Sequence, residues 1–93
     1  MKAVIYSKDY CPFCTKAKTL LNQLDIPYDE HIIMPNGPDG RELTSWQSFA
    51  TREELLAKAP NAKTVPQVWL DGVLIGGYTD LAAHLSNNSA NAA

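Results

Sequence analysis

Cys11 and Cys14 are the two cysteines of this 93-residue chain, and they stand three positions apart in "SKDYCPFCTKAKTLL" (7–21), with Pro12 and Phe13 between them. Two sulfurs at that spacing can staple a loop, supply half of a metal site or exchange electrons. In the chain-entropy account, a staple closing so short a loop would stabilise the fold by about 2 kcal/mol, less than a wider loop would. A zinc site needs four ligands. The chain could add only His31 and His84, each isolated in sequence and each reading first as a partly exposed filler. Electron exchange suits the local physics best, and no metal is expected.

That physics comes from the helix that follows. Pro12 suits a first helical turn, where its missing N–H costs nothing, and Cys11 then sits just ahead of unpaired N–H groups and the positive end of the helix dipole. A free thiol with a pKa near 8.5 is only a few per cent thiolate at pH 7. Lowering that pKa by about three units requires roughly 4 kcal/mol of preferential thiolate stabilisation. The dipole can supply up to about 2 kcal/mol in a favourable site; N–H···S⁻ contacts from the first turn and a smaller share from Lys8 supply the rest. Cys11 is therefore the expected attacking thiol. Cys14 falls on the apolar helix face with Ala17, Leu20, Leu21 and Leu24 and suits the resolving role, closing an internal bridge.

The elements that must hold this pair are short. "AVIY" (3–6) reads as a buried strand, the helix from Pro12 ends at "DIP" (25–27), and "YDEHII" (28–33) reads as a second strand. A turn-rich segment follows, then "TREELLAKA" with Thr51 and Glu54 at capping-box spacing. Strands at 67–70 and 73–75 flank Asp71-Gly72, a tight-hairpin signature. A last helix opens at Thr79 as N-cap, with Leu81 and Leu85 on its buried side. The order β-α-β-α-β-β-α implies an α/β fold with a four-stranded mixed sheet flanked by helices on both faces. One domain over 1–85 is expected, with 86–93 ("SNNSANAA") as a disordered tail that has nothing to bury. Trp69, alternating within a strand, reads as packing; Trp46 reads equally as core cover or partner contact. Lys16 and Lys18 read as exposed helix residues that could also guide acidic substrates.

Two further stretches bear on the cysteines. A proline in "TVPQVWL" removes a ladder hydrogen bond, so Pro66 marks either an edge or bulge, or a bend that brings Thr64-Val65-Pro66 beside Cys11, where an extended peptide can pair with Val65. "GGYTD" (76–80) is either a tight turn or a close backbone approach leading into a helix N-terminus that can take a carboxylate.

Composition excludes several classes. With 45% hydrophobic and 19% charged residues the chain is expected to be globular, and a formal net charge of −2 recommends neither nucleic acid nor an anionic membrane as partner. The opening "MKAVIYSKDY" is too short and polar for a signal peptide or a membrane span, so a cytoplasmic protein is expected. There a Cys-x-x-Cys pair is more often redox-active or metal-binding than structural.

"KDYCPFC", "TVPQVWLDG" and "GGYTDL" together, in this order and spacing, resemble the signature segments of the dithiol glutaredoxins, and the resemblance covers about residues 2 to 85. It implies a thioredoxin-like fold, with glutathione as the reductant and co-substrate. It also implies reduction of protein disulfides and glutathione mixed disulfides by Cys11 as nucleophile and Cys14 as resolving thiol. By the same resemblance Lys8 lies near the glycine carboxylate of glutathione and Phe13, in place of the commoner Tyr, flanks the tripeptide. Thr64, Val65 and Pro66 pair with its cysteinyl backbone, and Gly77, Tyr78, Thr79 and Asp80 form its γ-glutamyl turn. Arg52 is the candidate second cation for the glycine carboxylate. Residues 34 to 50 are longer than in compact bacterial members, and their "IIMP" lead-in is similar to glutaredoxins of some large phages, which would place the protein in a host cytoplasm. The expected protein is a monomer acting on disulfide-bonded or glutathionylated proteins, ribonucleotide reductase among the candidates. Two rival readings remain: a redoxin of the same fold fed by thioredoxin reductase, and a dimer holding a [2Fe–2S] cluster through Cys11 and two glutathiones.

Overall fold

Strand β1 (Ala3–Lys8) is the centre of the molecule because its side chains serve two cores at once. Ile5 points into one and Tyr6 into the other, as alternation along a strand requires, and both are fully buried. In the computed structural model, which describes residues 1–92 with side chains through Ser86, the other elements follow in chain order. They are α1 (Pro12–Gln23), β2 (Tyr28–Ile33), β3 (Gln47–Ala50), α2 (Arg52–Lys58), β4 (Gln67–Leu70), β5 (Val73–Gly76) and α3 (Tyr78–Ala92).

The sheet order is β3-β2-β1-β4-β5. Strand β1 runs parallel to β2 and antiparallel to β4, β2 is parallel to β3, and β4 and β5 form the terminal hairpin. The sheet is mixed as expected but has five strands, not four. The added edge strand comes from the long connection after β2, where "QSFA" is too short and too polar to announce itself. It is held by pairing His31 with Ser48 and Ile32 with Phe49.

One core joins Ile5 and Val68 of the sheet to Ala17 and Leu21 of α1 and to Leu81 and Leu85 of α3. The other packs Tyr6, Ala50 and Trp69 against Leu55 of α2. Trp69 thus serves packing, 5.4 Å from the Tyr6 ring.

The helix ends obey local chemistry. Helix α1 stops in a Schellman arrangement: Ile26 N–H donates to the Leu21 carbonyl and Asp25 N–H to that of Asn22, with Asp25 at φ +55°. Thr51 caps α2 by accepting from the Glu54 N–H at 3.1 Å. Asp71 and Gly72 both take positive φ, as a two-residue type I′ turn demands. Helix α3 opens at Tyr78, one residue ahead of the expected cap at Thr79, and its backbone runs on to Ala92. The tail expected over 86–93 otherwise lies outside the described residues. No described helix is long and apolar enough to cross a membrane.

Candidate active site

Cys11 is the N-cap of α1, in extended conformation (φ −119°, ψ 100°), and Pro12 takes the first helical position. The Cys14 N–H donates to Cys11 Sγ at 3.2 Å, and the Thr15 N–H donates to the Cys11 carbonyl at 3.1 Å. No acidic residue stands in the first turn to oppose a thiolate. Cys11 and Cys14 are joined as a disulfide, with their Cα atoms 5.2 Å apart. Their exposures differ: Cys14 is 1% exposed in the core, whereas Cys11 is half-buried at the surface. A disulfide or thiol in solution can therefore reach Cys11 more readily than Cys14.

Across from the pair, the Val65–Pro66 bond is cis, and the Val65 carbonyl oxygen lies 3.8 Å from Cys11 Sγ. Of the two readings of Pro66, the bend beside Cys11 is the one found. The paired glycines continue the same wall. A Cβ on Gly77 would touch the Pro66 carbonyl oxygen at 3.5 Å, so the two backbones are in contact. The Gly77 N–H donates to the Asp80 carboxylate at 3.2 Å, and Thr79 and Asp80 are exposed on the first turn of α3. Phe13 faces Tyr78 with ring centroids 6.2 Å apart, and Lys16 Nζ sits 5.1 Å over the Phe13 ring.

Lys8, at the exposed end of β1, stands between two concave surfaces. One, of about 540 Å³, is shared with Arg52, Thr64, Val65 and the apolar Ile33 and Phe49. The other, of about 460 Å³, is a polar cleft lined by Cys11, Asp9, Lys18, Glu30 and Arg41. Val65 lies beside the Cys11 sulfur, Gly77 touches Pro66, and Tyr78 faces Phe13, while Arg52 lies with Lys8 and Thr64 in the first groove and is not among the residues that line the cleft with Cys11. Among the described residues, no group of three or more His, Cys, Asp or Glu is placed to hold a metal ion.

Sequence reasoning missed the floor of the polar cleft. Glu30 is 3% exposed. It accepts from Ser7 Oγ at 2.6 Å, Lys18 Nζ at 2.9 Å and Gln47 Nε2 at 2.9 Å. Burial alone would raise its pKa, but these three donors and the Lys18 charge outweigh it and hold the carboxylate below its ordinary value. Lys18 is accordingly half-buried and paired, not the freely exposed residue expected. The signal available was the period of β2, which puts Glu30 on the same face as Ile32.

The connection after β2 also reaches the cysteine loop. Arg41 donates to both oxygens of Asp9, at 2.9 and 2.6 Å, and to Asp39. The hydrogen bonds from Arg41 lower the pKa of Asp9 and push that of Asp39 down to about 2, and the two carboxylates raise that of Arg41 in return.

The glutaredoxin family profile matches residues 3–75. Glutaredoxin-C6 of rice (Oryza sativa subsp. japonica) is 39% identical over 80 residues, covering 86% of this chain, and the chain spans 62% of that relative's length. The solution structure of reduced Escherichia coli glutaredoxin superposes with a TM-score of 0.70 at 35% identity, covering 95% of this chain and 96% of that one. A buckwheat glutaredoxin–glutathione complex superposes with a TM-score of 0.66 at 27% identity, covering 92% of this chain and 69% of that one. Those likenesses extend across the strand, helix and cis-proline turn that surround the sulfurs. The chain belongs to the glutaredoxin family, and its linked Cys11 and Cys14 put it among the dithiol members.

Proposed function

We propose that this protein is a glutathione-dependent thiol–disulfide oxidoreductase that reduces protein disulfides and glutathione mixed disulfides in the cytoplasm. The observation that carries the reading is the half-buried Cys11 sulfur, capped by the Cys14 N–H and 3.8 Å from the Val65 carbonyl. An extended cysteinyl residue pairing with the backbone of Val65 would bring its own sulfur to Cys11. The glutathione bound by the buckwheat relative supports that assignment of the ligand.

The electron balance follows from exchange chemistry. The Cys11 thiolate attacks the glutathione sulfur of a mixed disulfide; the S–S bond to the protein breaks, and the protein thiolate leaves with the electron pair. A second glutathione thiolate then attacks the glutathione sulfur of glutathionylated Cys11, forming glutathione disulfide and releasing the Cys11 thiolate. Alternatively, Cys14 attacks the other sulfur of that mixed disulfide, Cys11 Sγ, which expels the glutathione thiolate and forms the internal bridge seen here. With a protein disulfide as substrate, Cys11 forms the mixed disulfide and Cys14 resolves it. Lys8 and Arg52 would take the glycine carboxylate, Phe13 and Tyr78 would flank the tripeptide, and the Gly77–Asp80 turn would take the γ-glutamyl group.

The test is turnover of a glutathione mixed disulfide in the presence of glutathione, glutathione reductase and NADPH. Turnover that requires Cys11 supports the proposal. Absence of turnover, with reduction by thioredoxin reductase in its place, would retain the thiol chemistry and reject glutathione as the donor. A reconstituted dimer with iron–sulfur absorbance and neither activity would reject the oxidoreductase reading.

A further inference from the structure

The chain between β2 and β3 does more than add an edge strand, because it grips the loop that presents the nucleophile. Asp9, Tyr10 and Cys11 are consecutive. Tyr10 takes φ +55°, an unfavourable conformation for a residue with a Cβ. Its side chain is fully exposed, so packing of the ring does not hold it there. The neighbouring restraint is Arg41, whose guanidinium meets both oxygens of Asp9 in a fork that fixes direction as well as distance.

We propose that Arg41 is a positioning residue for the thiol chemistry: it holds Asp9 in a fixed ion pair and so neutralises the carboxylate nearest the attacking sulfur in the sequence. The charged groups sharing the cleft with Cys11 are Lys8 from β1, Asp9, Lys18 from α1, Glu30 from β2 and Arg41 itself. Lys18 and Glu30 pair with each other, and Asp39 pairs with Arg41 from outside the cleft. Loss of Arg41 would therefore leave Asp9 without its ion-pair partner in the cleft that Cys11 also lines, where the sulfur must itself become negative.

The inference rests on Cys11 being the attacking thiol but not on the identity of the reductant. The experiment is the pH profile of iodoacetamide alkylation of Cys11 at low ionic strength, in reduced protein carrying Cys14→Ser so that one thiol reacts. Arg41→Ala should slow alkylation about two- to threefold at pH 6 and move the profile to higher pH, the size expected of one partly screened charge. Adding Asp9→Asn should restore the rate, and Arg41→Lys should restore most of it. Circular dichroism shows whether each variant is folded. A folded Arg41→Ala protein whose profile superposes on the parent overturns the proposal, and so does a slowing that persists after Asp9→Asn. Neither readout uses glutathione, so failure of the glutathione assay leaves this test intact.

Discussion

The Cys14 backbone N–H donates to Cys11 Sγ at 3.2 Å, so the thiol proposed as nucleophile is the N-cap of the helix that contains its partner. At most N-caps a Ser, Thr, Asp or Asn oxygen takes that donor. Here the acceptor is a sulfur, and the donor favours it most when it is negative. One local motif therefore ties the start of α1 to the charge state the proposed reaction needs, and it holds Cys14 where it closes the bridge.

This arrangement separates folding from chemistry in the cysteine variants. Serine is itself a good N-cap, so Cys11→Ser should unfold in urea within about 1 kcal/mol of the reduced wild type. Its turnover should fall on the order of a thousandfold, because no other group replaces the nucleophile. Cys14→Ser should retain exchange with glutathione mixed disulfides and lose reduction of stable protein disulfides. Steady-state assays with both substrate types check the pair; substantial activity of any kind in Cys11→Ser would sink the assignment.

Glu30 should behave as a buried, satisfied carboxylate. Removing it leaves Ser7, Lys18 and Gln47 without their shared acceptor, so Glu30→Ala should cost about 2–4 kcal/mol of stability at pH 7. The folded pKa of Glu30 lies below its ordinary 4.5, so its contribution is present above pH 4.5 and is lost as pH falls through the folded value. The gap between wild type and variant in urea midpoints should therefore narrow below pH 4.5. A gap constant from pH 7 to pH 3 would mean that the carboxylate's charge contributes nothing.

Much of the site was legible in the sequence because its parts are local. Cys11 and Cys14 with Pro12 declare a backbone conformation within a few residues, and the proline in "TVPQV" and the glycine pair in "GGYTD" each narrow theirs to two alternatives. The type I′ hairpin at Asp71-Gly72 was legible for the same reason. What escaped was non-local or weakly patterned. Strand β3 is four residues whose only reason to be extended is the neighbouring edge of β2. The Arg41–Asp9 clamp joins positions 32 residues apart, and nothing near either one announces the other. Lys18 looked exposed because a lysine on a helix usually is; its burial depends on a carboxylate contributed by the next strand.

His31 gives a second pH dependence, of a different origin. Its ring stacks on Tyr6 with centroids 4.6 Å apart, and Ser48 Oγ lies 3.1 Å from its Nδ1. Burial, and then the charge of Lys58, hold its pKa below the ordinary 6.5. Unfolding therefore takes up a proton near neutrality, so the stability linked to His31 is present above pH 6.5 and is lost as pH falls through the folded value. Urea midpoints should fall between pH 7.5 and pH 5, and part of that fall should disappear in His31→Gln. An NMR titration of His31 with its midpoint above 6.5 would contradict this account.

Gly76 links the end of β5 to the Gly77–Asp80 turn, and it is glycine for two separable reasons. Its φ of +124° is one that L side chains rarely adopt, and a Cβ there would run into the Asp80 carboxylate. Gly76→Ala should therefore cost about 2 kcal/mol or more. By shifting the turn it should also raise KM for the glutathione mixed disulfide severalfold, with a smaller effect on alkylation of Cys11. Adding Asp80→Ala removes the collision but not the backbone cost, so the double variant should recover part of the stability and none of the affinity. Urea denaturation and steady-state kinetics on the three proteins separate the two contributions. Full recovery of stability in the double variant would mean that the collision alone requires glycine at this position.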